Sequence, residues 1–262
     1  MPSTTRVEAV CRLASAGFLA GVLFCTTAVC HAAPDKRNDP EMRGDQTPSD
    51  TLSDRQRAIV PIAAFAASGE MAGLGAALER GLDAGLTVSD VKEVLVQVYA
   101  YAGFPRSLNA LDEFMTVLDA RRQRGIEDAP GRGPGKVIPQ GDALLAAGAA
   151  NQTRLLAKPA EGPLFDFAPV IDEYLKTHLF GDIFERDNLD WQSREIATVS
   201  MLSMLPGAES QLQSHMRISM NVGITADQLR QLAEVLANHV GSESAYRARQ
   251  ALSNATRATG AH

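Results

Sequence analysis

Glu93, Gln97 and Tyr101 stand four residues apart in the run Glu93-Val-Leu-Val-Gln97-Val-Tyr99-Ala-Tyr101-Ala-Gly103-Phe-Pro105. On a helix that spacing stacks a carboxylate, an amide and a phenol along one face, beside apolar Val91, Val94, Leu95 and Val98. Polar groups next to a buried surface cost free energy unless they are paired, so the face needs a reason to exist. A second set lies further on, where Arg194-Glu195 precedes Gln213-Ser-His215. Imidazole titrates near working pH and suits a general acid or base, and a carboxylate can orient it. If the helices bearing Glu195 and His215 form an antiparallel hairpin around Pro206-Gly207, a rise of about 1.5 Å per residue brings them within roughly one turn of the same height. The alternative for His215 is a helix-face histidine paired with a surface glutamate or a backbone carbonyl. For Glu93, Gln97 and Tyr101 it is a polar network that pins two parts of the chain together.

The elements that must position these groups are written twice. Gly85-Leu-Thr-Val-Ser-Asp-Val91 matches Gly223-Ile-Thr-Ala-Asp-Gln-Leu229, and at the same offset Gly103 falls on Gly241. Each copy predicts three helices, near 54–67, 71–84 and 89–102 in the first and 191–205, 208–221 and 226–240 in the second. Thr87 and Thr225 are placed to cap the third helix of each. No stretch sustains period-two alternation, so the fold class is all-α, with two units related by a pseudo-twofold. Residues 51–124 form unit 1 and 142–252 unit 2. The glycine- and proline-rich 125–141 is a linker, with helices expected at 142–156 and 167–180 and a flexible tail over 253–262. Across the units the half-sets complement one another. Copy 1 has Arg57 and Ala77 where copy 2 has Glu195 and His215, and copy 2 has Gln231, Val235 and His239 where copy 1 has Glu93, Gln97 and Tyr101. One composite site follows, with His215, Glu195, Glu93 and Tyr101 as its chemical groups.

Residues 1–32 read as a signal peptide: Arg6 and Arg12, an apolar run from Leu13 to Cys30, then small residues to Ala33. Residues 33–50 are expected to be disordered, and the destination periplasmic or secreted. All three cysteines, Cys11, Cys25 and Cys30, lie inside that segment, so its removal excludes thiol peroxidase, disulfide-exchange and Cys-zinc chemistry. It also leaves 23 basic and 30 acidic residues, a formal charge of −7. An acidic chain with few aromatics is a poor partner for nucleic acid, and no later segment is apolar enough to span a bilayer. His215, His239 and Glu234 lack His-x-x-x-His spacing, so no metal site is expected. Arg106, next to Pro105, is the arginine best suited to clamp a substrate carboxylate, with Gln97 as a second binding group.

The Glu93…Gln97…Tyr101-Ala-Gly103-Phe-Pro105 run with Asn109-Ala110, Arg194-Glu195, Gln213-Ser-His215 and Asn221-x-Gly223-Ile-Thr225 together resemble the carboxymuconolactone decarboxylase family. So does Phe180-Gly-Asp-Ile-Phe-Glu-Arg186, which is similar to the lead into the second unit of tandem members. The likeness covers nearly all of Leu52–Ala251. It implies an alkylhydroperoxidase D-like helical fold in which two units make the working pair. It also implies a homo-oligomeric ring, a trimer for a tandem chain. The peroxidase branch needs a Cys-x-x-Cys pair that this chain lacks; the decarboxylase branch works without thiol, metal or other cofactor. The expected function is proton transfer, with or without loss of carbon dioxide, on a small carboxylate or lactone. One alternative is a non-catalytic helical module that binds a ligand or a partner; another is a peroxiredoxin-type activity carried by the superfamily resemblance, disfavoured because the mature chain has no cysteine.

Overall fold

The computed structural model describes residues 50–259; the expected export segment, residues 33–49 and residues 260–262 lie outside the described residues. Helix α1 spans Asp54–Ser68, α2 Met71–Asp83, α3 Val88–Ala102 and α4 Phe104–Gln123. After the linker come α5 (Asp142–Leu156), two short helices α6 (Pro163–Phe167) and α7 (Pro169–Tyr174), and a π-helical segment Leu175–Ile183. The second unit is α8 (Trp191–Ser203), α9 (Glu209–Asn221), α10 (Ala226–His239) and α11 (Ser242–Thr259). No strand occurs among the described residues.

The repeat is visible in the caps as well as in the order of helices. Thr87 and Thr225 each accept from the backbone N–H three residues on, while Asp90 and Gln228 reach back to the cap. The chain enters both caps through a left-handed glycine, Gly85 at φ 89° and Gly223 at φ 94°, which a side chain would strain. At the centre α1 lies against α8; α3 then packs on α8 and α10 on α1, a reciprocal exchange between the units. Residues Ile59 to Ala67 of α1 and Ser193 to Ser203 of α8 are buried without a break. The serines of α8 tolerate this because Ser200 and Ser203 donate to the carbonyls of Ile196 and Val199, each at 2.7 Å.

Three expectations need correction. Each unit has a fourth helix, α4 and α11, that was not foreseen. Gly103 (φ 85°) does end α3, but Pro105 then sits in the first turn of α4, where its missing N–H costs nothing. Residues 253–259 continue α11 rather than forming a flexible tail, with Ala255 buried against the core. The helix expected over 167–180 is broken into α6, α7 and the π-helical segment. The linker 125–141 carries no helix and is pinned at both ends. Buried Arg121 holds Asp128 through both carboxylate oxygens and also reaches Asp83 and Glu79, while Asp187 accepts from the Gly135 N–H at 2.8 Å.

The π-helical segment packs tightly on α5, and Gly148 makes this possible. A Cβ there would lie 1.7 Å from the Lys176 carbonyl oxygen, a backbone atom that cannot swing away. Gly148→Ala is therefore expected to destabilise the chain by about 1–3 kcal/mol, the range for forcing packed backbones apart, despite the better helix propensity of alanine. Thermal denaturation checks this; an unchanged or raised midpoint would show that the contact yields.

Candidate active site

Helices α8 and α9 form the expected hairpin, turning at Pro206-Gly207 with Gly207 at φ 87°. Within it Nδ1 of His215 lies 2.8 Å from Oε2 of Glu195. Glu195 is fully buried and His215 nearly so. A carboxylate accepts, so Nδ1–H donates to Oε2 and Nε2 is the ring nitrogen left for other chemistry. Nε2 has no protein hydrogen-bond partner among the described residues. Tyr101, from α3 of the other unit, meets the imidazole edge to face with ring centroids 5.6 Å apart. Its hydroxyl is buried and makes no hydrogen bond of ordinary geometry among the described residues. Burial, reinforced by the Glu195 charge, pushes the phenol far above its usual range, and nearby Thr198 eases this only slightly. Tyr101 therefore stays protonated, a donor without an acceptor.

Glu93 and Gln97 share the Tyr101 face of α3, yet their partners lie elsewhere. Arg186 binds Glu93 bidentately (Nε–Oε2 2.9 Å, Nη2–Oε1 2.7 Å), Arg194 donates to Oε2 at 3.0 Å and Asn188 to Oε1 at 2.9 Å. Burial works to raise the Glu93 carboxyl, but the Arg186, Asn188 and Arg194 donors outweigh it and hold the group below its ordinary value. Gln97 donates to the Arg194 carbonyl (3.0 Å) and to Thr198 (2.8 Å). These two residues tie α3 of one unit to α8 of the other. Arg106 is exposed at the start of α4 and lies against the end of α1, where a Cβ on Gly69 would strike its guanidinium. Of the six residues singled out from the sequence, three converge (His215, Glu195, Tyr101) and three do not (Glu93, Gln97, Arg106).

His215 and Tyr101 line a cavity of about 860 Å³. Its other walls come from the end of α5, the α6–α7 strap, the π-helical segment, the α8–α9 turn and α9, including Leu164, Phe165, Ile171, Phe180 and Leu205. Phe180 apart, which opens the Phe180–Arg186 run, these residues carried no sequence signal beyond being apolar, which marks core as readily as pocket. At the position related by the repeat there is a smaller depression of 340 Å³, lined by Arg57, Ala77 and His239. There Arg57 is tied to Gln231 (2.9 Å) and to the Leu52 carbonyl (3.2 Å). Among the described residues the chain therefore has one histidine–glutamate pair, not two. No cluster of three or more His, Cys, Asp or Glu side chains able to hold a metal occurs among them either.

A tandem pair of four-helix units, with one buried His–Glu pair packed against a phenol from the opposite unit, defines an all-α protein in which both halves contribute to one candidate site. The chain belongs to the carboxymuconolactone decarboxylase family, whose model matches residues 41–114 and 169–254, one segment in each unit. It is 30% identical over 69 residues to a 4-carboxymuconolactone decarboxylase from Acinetobacter baylyi, a match covering 26% of this chain and 51% of that protein. The chain thus spans about half the length of that relative.

Proposed function

We propose that this is an exported enzyme that moves a proton at the carbon next to a carbonyl, with or without loss of carbon dioxide, on a lactone or carboxylate bound in the cavity. The observation that carries the reading is the Nδ1-anchored His215, with Nε2 unpartnered among the described residues, packed against the Tyr101 ring where both residues line the cavity. In the exchange direction Nε2 takes the proton as the C–H bond breaks, and its electron pair moves into the carbonyl to give an enolate. In the decarboxylating direction His215 enters as the imidazolium, protonated from solvent; the C–C bond to the carboxylate breaks, its electron pair passes into the carbonyl, carbon dioxide leaves, and Nε2–H gives its proton to the enolate carbon. Glu195 is a positioning residue that fixes the tautomer and favours the imidazolium. Tyr101 donates to the enolate oxygen, where a donor already in place lowers the barrier. The chemistry asks for an acid–base group and an oxyanion donor and uses the substrate itself as electron sink.

Export is proposed from the basic, apolar and small-residue pattern of residues 1–33. A homo-oligomer is proposed from the family resemblance and from Phe104, Leu108 and Met115, which leave an exposed apolar stripe along α4. The activity is tested with two probes, 4-carboxymuconolactone for carbon dioxide release and 2-acetyl-γ-butyrolactone for deuterium uptake at C2 in heavy water. At least one is expected to react faster than buffer alone, with Glu195→Gln slower by tenfold or more while still folded. Equal rates for wild type and Glu195→Gln on both probes would overturn the reading in favour of a binding module.

A further inference from the structure

We infer that the cavity takes a substrate with a sizeable apolar body and a single polar, enolisable head, not a compact polycarboxylate. This rests on the site proposed above and names the class of molecule that site accepts. Of the 22 residues lining the cavity, 11 are Leu, Ile, Phe or Pro. Lys158 is the one Lys or Arg among them, and the opposite formal charge of Glu161 is also in the lining. The arginines that would recognise further carboxylates are elsewhere: Arg186 and Arg194 are bound to Glu93, and Arg106 is off the lining. A second or third carboxylate would therefore be desolvated without a partner, which is strongly unfavourable.

Size points the same way. At about 860 Å³ the space is near the upper end for small-molecule sites, far more than a lone five-membered lactone fills. The strap reinforces the argument. Leu164 and Ile171 line the cavity yet are 65% and 42% exposed, so an apolar body lying along α6 and α7 would take both out of water. The head then meets His215 and Tyr101, and the Gln152 amide and Ser214 hydroxyl, which also line the cavity, offer polar groups to one ester or carboxylate.

Calorimetric titration with 2-acyl-γ-butyrolactones whose acyl chain lengthens from acetyl through hexanoyl to decanoyl tests this on the full chain. Affinity is expected to rise about threefold for each added methylene, as apolar burial dictates. Leu164→Glu changes a residue already largely exposed and should leave folding intact. It is expected to weaken the decanoyl compound about tenfold and the acetyl compound by less than twofold. Deuterium uptake at C2 of the hexanoyl compound, compared in wild type and His215→Gln, is run alongside. Affinity that does not change with chain length, tighter binding of 4-carboxymuconolactone than of the decanoyl lactone, or no binding at all would overturn the inference. If the first two results came with His215-dependent exchange, the enzyme reading would stand and only the substrate class would fall. Chain-length dependence with no His215-dependent exchange would remove the enzyme reading, and with it the claim that the apolar ligand is a substrate.

Discussion

His215→Gln is expected to abolish turnover of whichever probe reacts, a loss of about 10²–10⁴-fold, the range that a positioned acid–base group contributes. Glutamine keeps a donor and an acceptor near the imidazole's place, so the hairpin should fold, but it cannot exchange a proton near neutral pH. The neighbours sharpen the test. Glu195→Gln still accepts from Nδ1 through its amide oxygen but no longer stabilises the imidazolium, so it is expected to lose part of the rate. Tyr101→Phe removes the donor and leaves the ring that packs on His215 at 5.6 Å, so KM should change little while kcat falls about 10²–10³-fold. If His215→Gln retained more than a tenth of wild-type activity, the pair would be a structural hydrogen bond and the chemistry would lie elsewhere.

The second large effect concerns stability. Glu93→Gln should destabilise the fold by about 3–5 kcal/mol, because removing one member of a buried ion pair leaves the other uncompensated. Here the member left behind is Arg194, wholly buried, with its Nε already unpartnered among the described residues. The sign with pH follows from Glu93 being held below its ordinary value. A carboxylate whose folded pKa is depressed stabilises the fold above its unfolded pKa, about 4.3, and that contribution is lost as pH falls through the folded value. The gap between wild type and Glu93→Gln should therefore be constant near neutrality and close in acid. Glu93→Met combined with Arg194→Met removes both charges and is expected to recover most of the loss. Denaturant titrations at pH 7 and pH 3 measure all of this, and equal gaps at the two pH values would show that the Glu93 charge is not the source. Activity lost by Glu93→Gln and regained by the double methionine variant would confirm that Glu93 acts through the fold alone.

These outcomes separate residues that the sequence presents as one set. Glu93, Gln97 and Tyr101 do share a face of α3, and that face does meet the other unit. Their fates differ because α8 changes character along its length. Arg194 and Thr198 bond to the first two, whereas Tyr101, a turn further along α3, reaches the His215 ring and the cavity. Arg194 and Glu195, neighbours in sequence, point about 100° apart on the helix, one into the ion cluster and one toward His215. Periodicity within α3 carries no information about that.

What the sequence determined by itself is whatever local chemistry and repetition express. The threonine caps, the glycines before them, the α8–α9 hairpin and the tandem all-α plan depend on neighbours within a few residues or on the chain written twice. Even Pro105 was legible, provided it is read as the first turn of α4 as well as the end of α3. The tertiary structure decided which polar groups are consumed by one another and which face a cavity. It also formed that cavity from α5, the strap and the π-helical segment, whose apolar residues look like core until long-range packing leaves a gap between them. Pairing across some hundred residues, as between Glu93 and Arg194 or Tyr101 and His215, depends on how the two units exchange helices, and no window along the chain contains it.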